Sequence, residues 1–150
     1  MSASGGPAGE SGAGPPTGDW RFSGLEYMRA LVVDDSKTVR MILGRTLREL
    51  GYEVEEAVDG EDALDRLNER PGYFEVALLD WNMPQMNGME LLKRVRADER
   101  HSSLVILMVT TETEVEHMAE ALEAGANEYV MKPFTKDILI EKLELTRMHF

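Results

Sequence analysis

A chain of 150 residues with 43% apolar content can bury one substantial core, and as a soluble globule it needs no more than one domain. Its formal net charge of −12 argues against binding nucleic-acid backbones or anionic membranes and favours cations or basic partner surfaces. The absence of cysteine excludes disulfide frameworks, thiolate metal sites and thiol catalysis.

The first stretch differs in composition from the rest. Residues 1–24 hold seven glycines and three prolines, with few side chains able to bury surface. Residues 1–26 are therefore expected to form a disordered Gly/Pro/Ala-rich tail, and residues 27–150 a single folded domain. The patch Asp19-Trp20-Arg21-Phe22, with Leu25 and Tyr27, reads as loose linker residues. No basic segment followed by an apolar core marks a secretory signal, and Ser2 stands where myristoylation needs glycine. The longest apolar run, Leu104–Val109, is too short to span a bilayer. A cytoplasmic protein without membrane insertion is expected.

From Arg29 onward strand and helix patterns alternate. Leu31–Val33 is a strand core ended by Asp34 and Asp35, followed by a helical stripe at Val39, Ile42, Leu43, Leu47 and Leu50 that Gly51 stops. Tyr52–Ala57 alternates as a more exposed strand, and Ala63, Leu64 and Leu67 mark the inner face of a second helix. Phe74–Leu79 is a buried strand ended by Asp80; Met89, Leu92 and Val95 give a third helix, interrupted around Asp98–Ser103. Leu104–Val109, apolar on both faces as a central parallel strand should be, ends at Thr110. A helix with Met118, Ala121 and Leu122 runs to Gly125. A strand at Asn127–Met131 ends at Lys132, and a last helix carries Ile138, Leu139 and Leu143.

Five βα units with right-handed crossovers leave few arrangements. The expected fold is α/β, a doubly wound five-stranded parallel sheet in the flavodoxin-like strand order 2-1-3-4-5. That order sets the first and third strands side by side at a switch point where ligands bind. Asp34, Asp35 and Asp80 then converge on one crevice, with Thr110 one strand from Asp80 and Lys132 two strands away. Three carboxylates so placed repel: at 4 Å and an effective dielectric near 20 each pair costs about 4 kcal/mol. Such a site must protonate, take up a cation or borrow a neighbour's charge. Lys132 supplies one positive charge and a divalent metal the rest; oxygen donors favour Mg²⁺, with Mn²⁺ as a substitute, over zinc. This arrangement suits phosphoryl transfer to a carboxylate, which is mainly positioning and charge compensation.

The segments VVDDSKTVR, ELGYEVEEAVDGEDAL, LLDWNMPQMNGMELL, ILMVTTE and EYVMKPF, spread from about Arg29 to Met148, resemble a response-regulator receiver domain. The likeness is nearest to single-domain chemotaxis (CheY-like) receivers. It implies that Asp80 is the phosphoacceptor and that Asp35 ligates Mg²⁺ directly. Asp34 would help hold the metal through water, and the backbone carbonyl of Asn82 would complete the protein ligands. Lys132 and Thr110 would bind the phosphoryl group, Thr110 and Tyr129 would form the switch, and the Lys132–Pro133 peptide would be cis. Asn82, Thr111 and Glu112 occupy positions that tune dephosphorylation. Asn87 stands where many relatives have Asp, and Thr111 where Ala is frequent. The resemblance also implies a sensor histidine kinase as phosphodonor and a separate output protein, either a motor switch or a phosphotransfer protein. It implies a monomer that binds no nucleic acid and is not an enzyme acting on external substrates. An aspartyl-phosphate hydrolase would need a second acid two residues after the nucleophile, where Asn82 stands.

Blander readings apply to other residues. Asp35 could cap the following helix, and Asp34 or Asp59 could serve turns. Met83, Met86 and Met89 read as loop packing and core filling rather than a soft-metal site. His101, His117 and His149 read as surface residues. Glu112, Glu114, Glu116 and Glu120 read either as a solvated acidic face or as part of a partner surface.

Overall fold

Five strands, β1 (Met28–Val33), β2 (Tyr52–Ala57), β3 (Val76–Asp80), β4 (Val105–Thr110) and β5 (Glu128–Met131), form one parallel sheet. Their order in the computed structural model, which describes residues 28–111 and 115–147, is β2-β1-β3-β4-β5. Five helices connect and follow them: α1 (Lys37–Glu49), α2 (Gly60–Glu69), α3 (Gly88–Arg96), α4 (Met118–Glu123) and α5 (Lys136–Arg147). The doubly wound fold and its strand order are those expected from the sequence. The tail, its aromatic patch, Glu112, Glu114 and His149 lie outside the described residues.

Alternation along the inner strands divides the core into two layers. Leu31, Val33, Leu79, Ile106 and Met108 face Ala63, Leu67, Leu92, Val95 and Ala121 on one side. Val32, Leu78, Leu107 and Val109 face Leu43, Leu47, Leu139 and Leu143 on the other. β3 is buried along its whole length, as a central strand covered by helices on both faces must be. Met83, Met86 and Met89 are buried and fill gaps beneath the loop after β3, as expected.

Helix starts are set by short polar side chains. Ser36 accepts from the amide of Val39, Asp59 from Asp62 and Asn87 from Glu90. Thr135 does the same for Ile138 at the start of α5, with Oγ1 3.2 Å from the amide. Ser36, and not Asp35, is therefore the cap of α1. Gly51 stops that helix at φ +99°, a conformation side chains resist. Gly88 answers a different need: a Cβ there would lie 2.5 Å from the Asp80 carbonyl oxygen and 2.9 Å from Met108 Cε. Gly88→Ala is expected to destabilise the fold by about 1–3 kcal/mol, because backbone cannot yield as a flexible side chain would. Urea denaturation checks this.

Three positions read as inward-facing are not. Ile42 is 55% exposed, and Leu122 and Ile138 are also largely exposed. The inward stripe of α1 is Arg40, Leu43, Gly44 and Leu47, which rotates Ile42 to the outside. Strand ends differ slightly too: Asp34 and Asp35 follow β1, and Lys132 follows β5. The helical turn before α4 is 3₁₀ over Val115–His117, and α4 itself spans only six residues.

His101, expected at the surface, is only 3% exposed. It sits in the 3₁₀ turn after α3, where Nε2 lies 2.9 Å from Asn68 Oδ1 on α2. That partner, 33 residues away in sequence, makes burial of the ring tolerable. Burial holds its pKa below 6.5 although Asp98 pulls the other way. The unfolded chain therefore binds the proton more readily, and stability falls as pH drops below about 6.5 towards the folded value. Relative to His101→Gln, the wild type is expected to lose thermal stability between about pH 7.5 and 5.5, measured by paired melts.

Candidate functional site

The site forms where β1 and β3 end side by side. Val33 is in register with Leu79, so the next residues, Asp34 and Asp80, leave the sheet as neighbours. Asp34 is 1% exposed and Asp80 6%, while Asp35 faces solvent. One carboxylate oxygen from each of the three lies within 4.8 Å of the others.

Asp34 and Asp80 are held from several elements. The Asp34 amide donates to the Ala57 carbonyl at the end of β2 (3.2 Å), and its Oδ1 accepts from the Ser36 amide (2.8 Å). Its own carbonyl accepts from Arg40 Nη1 at 2.7 Å. From the far side, Lys132 Nζ donates to Asp80 Oδ1 at 3.1 Å and to Asp34 Oδ2 at 3.4 Å. The Lys132 amide donates to the Thr110 carbonyl at 2.6 Å, and the Lys132–Pro133 peptide is cis. Lys132 thus bridges from the end of β5 past β4 to β3 and β1.

The other described residues predicted for the site lie on β4, β5 and the loops after β3 and β4. Thr110 is buried, and its hydroxyl donates to the Thr111 carbonyl at 3.3 Å. Asn82 is exposed in the loop after β3, and Thr111 is half-buried. Tyr129 is half-buried on β5, with Lys142 Nζ 4.7 Å from its ring centroid. Trp81, directly after Asp80, stacks on His117 with centroids 5.7 Å apart and an interplanar angle of 11°. The exposed face expected of Glu116 and Glu120 is present.

Charge balance dominates the chemistry. Burial and then the Asp34 charge push the Asp80 pKa up to about 6, although Lys132 pulls it down. Burial works against the charge on Lys132, but Asp80 and Asp34 together raise its pKa above the ordinary value. Among the described residues one ammonium is bonded to two of the three carboxylates, so the cluster remains short of positive charge. Its donors are all carboxylate oxygens, without nitrogen or sulfur, which fits a hard divalent cation and not zinc.

Three residues at the site went unforeseen. Arg40 and Glu56 form an ion pair of 2.9 Å beneath Asp34. The signal was available: Arg40 falls three and seven residues before Leu43 and Leu47, in phase with the buried stripe of α1. His117 gave no such signal, since its stacking partner lies on another element.

Comparison with known proteins gives one consistent result. A family model described as "Response regulator receiver domain" matches residues 30–144. "Chemotaxis protein CheY1" of Helicobacter pylori (strain J99) is 49% identical over 119 residues, covering 79% of this chain and 95% of that protein. A "Chemotaxis protein CheY homolog" of Campylobacter jejuni is 48% identical over 118 residues, covering 78% and 90%. Among solved structures, "Chemotaxis response regulator CheY4" of Vibrio cholerae superposes with a TM-score of 0.74 at 38% identity, covering 81% of this chain and 99% of that one.

Proposed function

The chain belongs to the response regulator receiver domain family, and from that premise we propose that it is a signalling switch phosphorylated on Asp80. The observation that carries this reading is the contact of Lys132 with Asp80 and Asp34 inside a three-carboxylate cluster.

A carboxylate oxygen of Asp80 attacks the phosphorus of a phosphohistidine on a partner sensor kinase. The new O–P bond forms as the P–N bond breaks, and the departing imidazole ends neutral after proton exchange with solvent. Lys132, whose Nζ lies 3.1 Å from Asp80 Oδ1, holds a phosphoryl oxygen as the Asp80 charge is consumed, and the Thr110 hydroxyl turns from the Thr111 carbonyl to another. Mg²⁺ (or Mn²⁺) held by Asp34, Asp35, Asp80 and the Asn82 backbone carbonyl would supply the remaining positive charge at the transferred group. Thr110 and Tyr129 relay the change towards α4, β5 and α5. Asn82, Thr111 and Glu112 set how fast water removes the phosphoryl group, on a scale of seconds to minutes.

The chain then acts as a cytoplasmic monomer whose output is a separate protein. The names of its relatives favour a chemotaxis output such as a motor switch. A phosphorelay in which a phosphotransfer protein takes the phosphoryl group is the second reading within this class. Among the described residues no helix is long and apolar enough to cross a membrane. Labelling with acetyl phosphate and Mg²⁺ tests the reading: an acid-labile, stoichiometric adduct on Asp80 is expected. Sustained phosphate release from a generic phosphomonoester would instead mark a hydrolase. Co-purification with a motor component or with a phosphotransfer protein separates the two outputs.

A further inference from the structure

We infer that Arg40, anchored by Glu56, is a positioning residue that sets the direction of both Asp34 and Asp35. The inference rests on the metal-binding reading of the acidic cluster. Arg40 is 9% exposed and has two partners: Nη1 donates to the Asp34 carbonyl at 2.7 Å and Nε to Glu56 Oε1 at 2.9 Å.

The carbonyl that Arg40 grips belongs to the peptide joining Asp34 to Asp35. That unit is planar, so fixing its oxygen fixes the plane from which both acids project. The Asp34 amide is tied to Ala57 and its side chain to Ser36, but both bonds leave rotation of the following peptide open. Arg40 removes that freedom. Without it the Asp34 carbonyl would be left without its charged donor at a site where Asp34 is almost wholly buried.

Glu56 makes the arrangement tolerable. A guanidinium buried beside a neutral carbonyl alone would be costly, and its carboxylate offsets that charge while fixing the fork of the side chain. The dyad joins the end of β2 to the first turns of α1. It is separate from Lys132, which approaches the cluster from the β5 side.

Titration of Mg²⁺ into the metal-free protein by calorimetry tests the inference, with circular dichroism confirming the fold. Arg40→Met is expected to weaken Mg²⁺ binding by about tenfold or more, the scale seen when groups orienting metal ligands are lost. Arg40→Lys, which can satisfy one partner but not both, should weaken it by roughly threefold to tenfold and serves if the Met variant does not fold. Glu56→Gln keeps an acceptor for Nε and should stay within about threefold of wild type. Leu67→Ala, a core truncation on α2, should lower the melting temperature and leave Mg²⁺ affinity unchanged, which separates positioning from general destabilisation. Folded Arg40 variants binding Mg²⁺ within about twofold of wild type would overturn the inference. A wild-type protein that takes up no Mg²⁺ would overturn the metal reading itself, together with the inference that rests on it.

Discussion

Asp80→Asn is expected to abolish acid-labile labelling by acetyl phosphate and, without metal, to make the protein more stable than wild type. The first effect follows from chemistry: the amide offers no carboxylate oxygen to form an acyl phosphate. The second follows from charge. The folded-state pKa of Asp80 stands at about 6, above the ordinary 3.8, mainly because burial and Asp34 disfavour its ionised form. The folded protein therefore binds a proton that the unfolded chain has released, and stability falls as pH rises from about 3.8 through 6. At neutral pH the penalty is fully present, and from about two pKa units it amounts to roughly 2–3 kcal/mol. Thermal melts at neutral pH should show the Asn variant melting higher, with the gap closing towards pH 4. Saturating Mg²⁺ should narrow the gap as well, since a cation among the three acids removes the repulsion. Full labelling of the Asn variant would show that the acceptor lies elsewhere.

Lys132→Ala should have the next largest effect. Lys132 is the cation bonded to both Asp34 and Asp80, and the raised pKa reflects those two bonds against the opposing pull of burial. Its ammonium remains charged throughout the working range, so its loss is a loss of charge at every such pH. Removing it leaves the acidic cluster without its ammonium and takes away the donor proposed to meet the incoming phosphoryl oxygens. The initial rate of acetyl phosphate labelling should fall about 100-fold, the scale of removing one preorganised donor from a charge-developing site. Lys132→Arg should still label, because charge is retained, but should weaken partner binding, because a planar fork replaces a compact ammonium. Rapid-quench labelling and a pull-down with the output protein separate these effects. An alanine variant labelling at the wild-type rate would remove Lys132 from the reaction.

The fold was legible because its strands are unusually plain. Val76–Leu79 and Val105–Val109 are uninterrupted apolar runs, each ended by a polar residue, and both lie at the sheet centre. The location of the acidic crevice followed from topology: once β1 and β3 are neighbours, Asp34 and Asp80 must meet. What local pattern could not give was the rotation of helices whose exposed faces are also apolar. Ile42, Leu122 and Ile138 look like core residues, yet each lies outside the stripe that packs. For buried polar residues it was the partner that local pattern could not give, even where, as for Arg40, helical phase points inward. Arg40 needs Glu56 and His101 needs Asn68, and neither partner can be seen from the residue's own segment. The roles proposed for Thr110 and Tyr129 come from family likeness and not from pattern, because a threonine and a tyrosine near strand ends have many ordinary uses.

The construction of α4 has a consequence for signalling. It spans six residues, and its N-cap, His117, makes no side-chain bond to the amides of the first turn. Ser36, Asp59 and Asn87 close those amides at α1, α2 and α3. Amide hydrogens in α4 should therefore exchange with deuterium earlier than those of the capped helices, well before the whole chain opens. A segment already so near to fraying needs little work to be re-set. If Asp80 is phosphorylated as proposed, that covalent change at the end of β3 should register as altered exchange kinetics in α4.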